Sequence, residues 1–167
     1  MDPRHVAEVV VQRADGSWWR GSGYRVRERL LLTAAHVGGD AAEVRARFRA
    51  EFSDGWSTGA AVVWQDPVSD LALLQLQGLD SAPVIGAQFG RLPESTRQVE
   101  AHVVGSPRAK LWRNAAGAQI REPHHAVGSI SGLSNLKLRS LEIAVVVPTE
   151  DPPPEVSPQE ATSGAAV

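Results

Sequence analysis

An imidazole that acts as a general base must be held rigidly and still reach a cleft, and one histidine of this chain is placed for both. His36 closes the run Leu30-Leu31-Leu32-Thr33-Ala34-Ala35-His36, just past a buried apolar strand and on a turn that two small alanines can pack. Such a base activates a hydroxyl nucleophile when a carboxylate fixes its tautomer and stabilises the imidazolium that forms. Asp66 and Asp70 both precede the apolar run Leu71-Ala72-Leu73-Leu74-Gln75-Leu76. A carboxylate on the first residue of a core strand can be buried against the far nitrogen of the ring. Serine hydroxyls follow at Ser129, Ser131 and Ser163.

Other chemistries fit the residues less well. Glu122, His124 and His125 lie close together, with His102 elsewhere, but adjacent histidines point apart on an extended chain. No second ligand pair has zinc-like spacing, so no metal site and no cofactor are expected. Arg25, Arg27 and Arg29, like Arg45, Arg47 and Arg49, recur at period two. Glu28, Glu43 and Glu51 interleave with them, which predicts a solvated barrel face rather than a stripe for nucleic acid. Trp18, Trp19, Trp56, Trp64 and Trp112 read as core and barrel-rim packing. The Gly21-Ser22-Gly23 turn lacks the following helix that a phosphate loop requires.

The elements that must position these groups are strands. Val6–Gln12 ends at the turn signal Asp15-Gly16, and an extended pattern resumes over Trp18–Val26, which predicts a hairpin. Leu30–Thr33 is a buried run, and Glu43–Phe52 alternates strictly between Val44, Ala46, Phe48, Ala50, Phe52 and a charged face. Further strands are expected around Gly59–Trp64 and over Leu71–Leu76. Six short strands at close spacing without a convincing helix argue for a closed barrel. A second set follows at Val99–Val104, Ala126–Ser131 and Leu138–Val147, with a hairpin or long loop over Arg108–His125. Three strands do not close a barrel. Pro148–Glu155 reads as a surface loop, because its prolines block ladder hydrogen bonds.

Composition sets the outer bounds. The chain has 167 residues, 43% hydrophobic and 22% charged, which is ordinary for a globular protein large enough to build a real core. A net charge of −2 predicts neither nucleic-acid nor membrane affinity. There is no cysteine, which fits a reducing compartment, and no apolar segment approaches the length of a membrane span. A soluble, cytoplasmic protein is expected.

Thr33-Ala34-Ala35-His36, preceded by an apolar strand and by Gly21-Ser22-Gly23, resembles the histidine motif of trypsin-like serine peptidases, especially their cysteine-free bacterial HtrA-like branch. In that family an aspartate is followed by Leu-Ala-Leu-Leu, so the resemblance assigns the orienting carboxylate to Asp70 and leaves Asp66 as a turn former before Pro67. His before Asp also follows the chymotrypsin order rather than that of subtilisins or α/β-hydrolases. Val99–Pro107 resembles the first strand of the family's second barrel, and Val127–Leu133 the second. Ala161-Thr162-Ser163-Gly164-Ala165 is similar to the Gly-x-Ser-Gly-Gly/Ala motif, which implies Ser163 as nucleophile and the backbone N–H groups of Ala161 and Ser163 as oxyanion hole.

The resemblance thus implies an all-β fold of two six-stranded antiparallel β-barrels, the second incomplete in this chain. Its expected organisation is an N-terminal barrel over 1–77 with His36 and Asp70, a connection over 78–98, and a partial C-terminal barrel over 99–167 with Ser163. The implied activity is that of a serine endopeptidase acting on a protein or peptide substrate through an acyl-enzyme. Two departures accompany it. Ala161 stands where the family has glycine, and the segment that walls the family's S1 pocket after the serine is missing. They leave an alternative: a catalytically impaired or inactive protease-fold module, serving interaction or regulation in a larger multidomain bacterial protein.

Overall fold

Alternating apolar residues close a barrel from the first half of the chain. The computed structural model describes residues 2–39, 41–79, 86–92, 97–106, 111–113, 117, 119–121, 123–132 and 142–145. A single 3-10 turn, Pro3–His5, leads into β1 (Val6–Arg13), whose β-branched residues Val9 and Val11 are fully buried. Asp15 accepts the Ser17 N–H at 2.8 Å and Gly16 supplies a φ of +82°, so the chain reverses into β2 (Trp18–Arg27) as its turn residues predict. Then come β3 (Leu30–Thr33), a one-turn helix α1 (Ala35–Gly38), β4 (Ala41–Phe48), β5 (Trp56–Asp66) and β6 (Leu71–Leu76). They hydrogen-bond in the order β1-β2-β3-β6-β5-β4 and back to β1, all antiparallel. Closure leaves no unpaired strand edge among the described residues of this half.

The barrel is filled by Val9, Val11, Leu31, Ala46, Phe48, Leu74 and Leu76, none more than 1% exposed. Each larger side chain among them contributes about 1.5–3 kcal/mol by leaving water. The Phe48 ring stacks on Trp56 at 4.4 Å between centroids. Arg25, expected on the solvated face, is instead buried. Its guanidinium donates to the Glu28 carbonyl at 2.9 and 3.0 Å and lies over the Phe48 and Trp56 rings. A backbone acceptor and two aromatic faces together replace the water the cation gives up.

Two further expectations need correction. The strand predicted over Glu43–Phe52 ends at Phe48, where Arg49 takes a φ of +49° and a turn stapled by the Arg49–Asp54 ion pair leads into β5. Gly55 crosses so close to the Arg49 carbonyl that a Cβ there would collide with it. Phe52 is consequently exposed, although its place in the alternation is apolar. Among the tryptophans, Trp56 packs against the core, whereas Trp18, Trp19, Trp64 and Trp112 are 40–58% exposed. Four of the five indoles are therefore surface groups and do not fill the barrel.

The second half forms β7 (Gln98–Gly105), β8 (Leu111–Arg113), β9 (Gln119–Arg121), β10 (His124–Ser131) and β11 (Ile143–Val145). Among the described residues it makes a three-stranded antiparallel sheet, β11-β10-β7, and the hairpin β8-β9. Within the segment predicted as hairpin or loop, the described residues pair Leu111–Arg113 antiparallel with Gln119–Arg121, and the strand after it starts at His124, two residues before the expected Ala126. Of the expected strand Leu138–Val147, Ile143–Val145 lies within the described residues. Pro148–Glu155 lies outside them.

A polar junction joins the halves. Glu8, on β1 with a side chain only 3% exposed, binds Arg20 at 2.6 Å and has Arg47 at 3.6 Å. Arg20 and Arg47 both donate to the Gln119 carbonyl of β9, at 3.3 and 2.8 Å. Ser22 is buried beside this junction, and its Oγ accepts the Ser106 N–H at 2.7 Å.

Candidate active site

His36 and Asp70 are 34 residues apart in sequence and meet because of one strand pairing. β3 and β6 run antiparallel with Thr33 opposite Ala72, so the end of one and the start of the other share a barrel rim. His36 follows Thr33 on α1, and Asp70 precedes Ala72 on the turn into β6. Ala34 and Ala35 are both buried, as a histidine held on a packed turn requires. Val37 lies over Gly21, where any Cβ would stand 2.5 Å from a Val37 methyl. The glycine of the Gly21-Ser22-Gly23 segment thus lets the helix bearing His36 sit directly on β2.

Asp70 is tied to that helix three times. Its carbonyl accepts the Ala35 N–H at 3.1 Å, its Oδ1 accepts the His36 N–H at 2.9 Å, and its Oδ2 meets His36 Nδ1 at 2.7 Å. The backbone there has a φ of +52°, a left-handed conformation that aspartate tolerates better than most residues. Desolvation raises the Asp70 pKa, but the backbone and side-chain hydrogen bonds and the charge of His36 outweigh it, and the carboxyl titrates below its ordinary range. An ionised carboxylate only accepts, so in the neutral ring the proton sits on Nδ1 and Nε2 is the acceptor that faces outward. That tautomer is the one a general base uses. The carboxylate was expected to be buried; instead the Asp70 and His36 side chains are 50% and 43% exposed. Held by backbone donors, the pair does not depend on burial for its geometry.

A neighbour that spacing did not reveal flanks this pair. Arg13 lies 3.7 Å over the Trp19 ring and donates to the His36 carbonyl at 3.4 Å. Asp66 accepts the Val68 N–H, the turn-forming role expected of it. Ser129 and Ser131 stand in the β7–β10 ladder opposite Glu100 and Gln98. Ser163 and Ala161 lie outside the described residues, as does Glu122. No group of three or more potential metal-ligating side chains converges among the described residues. The ladder does bring His102, expected apart, beside His125, with His102 Nδ1 2.9 Å from His125 Nε2.

A closed antiparallel barrel that offers an aspartate-bound imidazole at its rim defines the class of trypsin-like β-barrel domains. The chain belongs to one family of that class: the family model described as a trypsin-like peptidase domain matches residues 21–167. No curated protein matches. Among solved structures, the chain is similar to the active form of the Rv3671c protease from M. tuberculosis, with 21% identity and a TM-score of 0.52. It is similar also to the HtrA-type protease AlgW with a tripeptide, at 24% and 0.52, and to a serine endoprotease from Yersinia pestis, at 21% and 0.50. Each match covers 77% of this chain but only 48%, 36% and 41% of the respective relative, and at such identities the likeness is one of fold. Among the described residues no helix is long and apolar enough to cross a membrane.

Proposed function

We propose that the chain is the catalytic part of a serine endopeptidase, with His36 as general base, Asp70 as its orienting carboxylate and Ser163 as nucleophile. The observation that carries this reading is the Asp70–His36 contact of 2.7 Å, which in the neutral ring reserves Nδ1 for the proton and turns Nε2 outward as the acceptor. Ser163 Oγ attacks the scissile carbonyl carbon while its proton passes to His36 Nε2. The Ala161 and Ser163 amides donate to the oxyanion. Collapse of the tetrahedral intermediate expels the amine, which takes the proton from His36. Water then repeats the sequence on the acyl-enzyme and restores the serine. The substrate is a protein or peptide. Because the chain spans less than half of the relatives it resembles, further domains of a longer protein belong to this reading.

One residue favours a second reading, a protease-fold module that binds without cleaving. Ala161 replaces the family's glycine, and an alanine held at positive φ is strained by about 1–2 kcal/mol. Rotation of that peptide would remove an oxyanion donor, worth roughly 10²–10³ in turnover. A fluorophosphonate probe separates the two. Labelling of the full-length protein that Ser163→Ala abolishes supports the peptidase; peptide binding by a well-folded protein that never labels overturns it.

A further inference from the structure

A second row of carboxylate and imidazoles lies on the β7–β10 ladder, away from the strands that bear His36. His102 stands opposite Val127 on the partner strand, so His125, two residues earlier, is its diagonal neighbour on the same face. His102 Nδ1 and His125 Nε2 are 2.9 Å apart, the ring centroids 5.2 Å apart, and the planes within 10° of each other. The centroid separation exceeds the contact by about two ring radii, so the rings meet edge to edge in nearly one plane. Glu100 Oε1 lies 3.1 Å from the other nitrogen of His102. An ionised carboxylate accepts only, so in the neutral His102 ring the proton sits on Nε2 and the Nδ1 lone pair faces His125. A carboxylate behind a ring nitrogen is also what orients histidines that ligate metals.

We propose that His102 and His125 form a two-imidazole chelating site for a late transition-metal dication, with Glu100 holding the His102 ring from behind. The ion takes the place of the single proton now held between the two nitrogens, and His125 moves its own proton to Nδ1. Ligands about 2.0–2.1 Å from one ion, and cis on a square plane, stand about 2.9 Å apart, the spacing found here. Each ring needs only an in-plane swing to aim its lone pair at the ion. Both side chains are exposed enough to make it. Glu100 occupies the opposite side of His102, so the remaining positions go to water. Two imidazoles with open positions suit Cu²⁺ and Ni²⁺ ahead of Zn²⁺. The ion would pin β7 to β10 with two coordinate bonds in place of the single hydrogen bond between the rings, and would stabilise the native state by mass action.

The test is a calorimetric titration of the chelator-stripped full chain with Ni²⁺, followed by the unfolding midpoint with and without the ion. One ion per chain is expected, together with a raised midpoint. His102→Gln and His125→Gln should each weaken binding at least tenfold, and Glu100→Ala by about 10–100-fold. Substituting His5, His36 or His124 by Gln should leave the affinity within twofold. Zn²⁺ should shift the ring-proton resonances of His102 and His125 together. Absence of stoichiometric binding, retention of affinity in the His102→Gln/His125→Gln double variant, or equal losses from His124→Gln would overturn the proposal.

Discussion

The His36–Asp70 pair and the Glu100–His102–His125 row use the same two functional groups on two different scaffolds. In the first, one backbone N–H binds the carboxylate at Oδ1 besides the imidazole at Oδ2, and a second backbone N–H binds the main-chain carbonyl of Asp70. The strands behind it belong to a closed barrel. In the second, Glu100 and both imidazoles touch one another only through side chains, on a sheet of three strands among the described residues. Backbone anchoring on a closed barrel gives an imidazole one orientation, as a proton-transfer group needs. Side-chain contacts on an open ladder leave rings able to swing, which suits capture of an ion.

The largest effect expected from this contrast is on hydrolysis. Asp70→Asn should lower kcat about 10⁴-fold, because the amide no longer enforces the Nδ1–H tautomer of His36. His102→Gln should leave kcat within twofold; steady-state kinetics on a cleaved peptide checks both, and an equal loss in the two variants would dissolve the distinction. Stability should divide the same way. Phe48→Ala removes a fully buried ring from the barrel and should cost about 3–5 kcal/mol, whereas Ile130→Val on β10 should cost about 0.5–1.5 kcal/mol, by urea unfolding.

The junction tests whether the halves behave as one. Glu8→Gln removes the charge between Arg20 and Arg47 and leaves two cations facing a neutral amide, which should cost about 3 kcal/mol. If unfolding then splits into two transitions, the Glu8 cluster is what couples barrel to sheet.

Acid should act through Asp70. Its folded pKa lies below the unfolded value of about 3.9, so its contribution to stability is present above that value and is lost as the pH falls through the lowered one. Asp70→Asn should flatten this acid limb of the stability profile. The smallest effect belongs to the second row: without metal, His125→Gln on an exposed face should change stability by no more than about 0.5 kcal/mol.

Much of the barrel was legible because its strands alternate. Val44, Ala46 and Phe48 point inward as their period predicts, and Leu30–Thr33 and Leu71–Leu76 form strands within the bounds their apolar runs set. The alternation misled at Ala50 and Phe52, where the need to turn back into β5 overrode the apolar pattern. Arg25 was misplaced for a related reason: a bulge at Arg25–Arg27 shifts the register of β2 against β3, and strict period two cannot anticipate it.

For the site, local sequence determined which residues have the chemistry: an imidazole after a packed turn at His36, and a carboxylate before a core strand at Asp70. Their resemblance to one family added the roles. Only the tertiary structure decided which nitrogen of His36 meets Asp70, how exposed the pair is, and that His102 stands beside His125. Those are matters of register and of hydrogen-bond direction between segments distant in sequence. A one-residue change of pairing would turn every side chain of a strand to the other face, so no local pattern contains them.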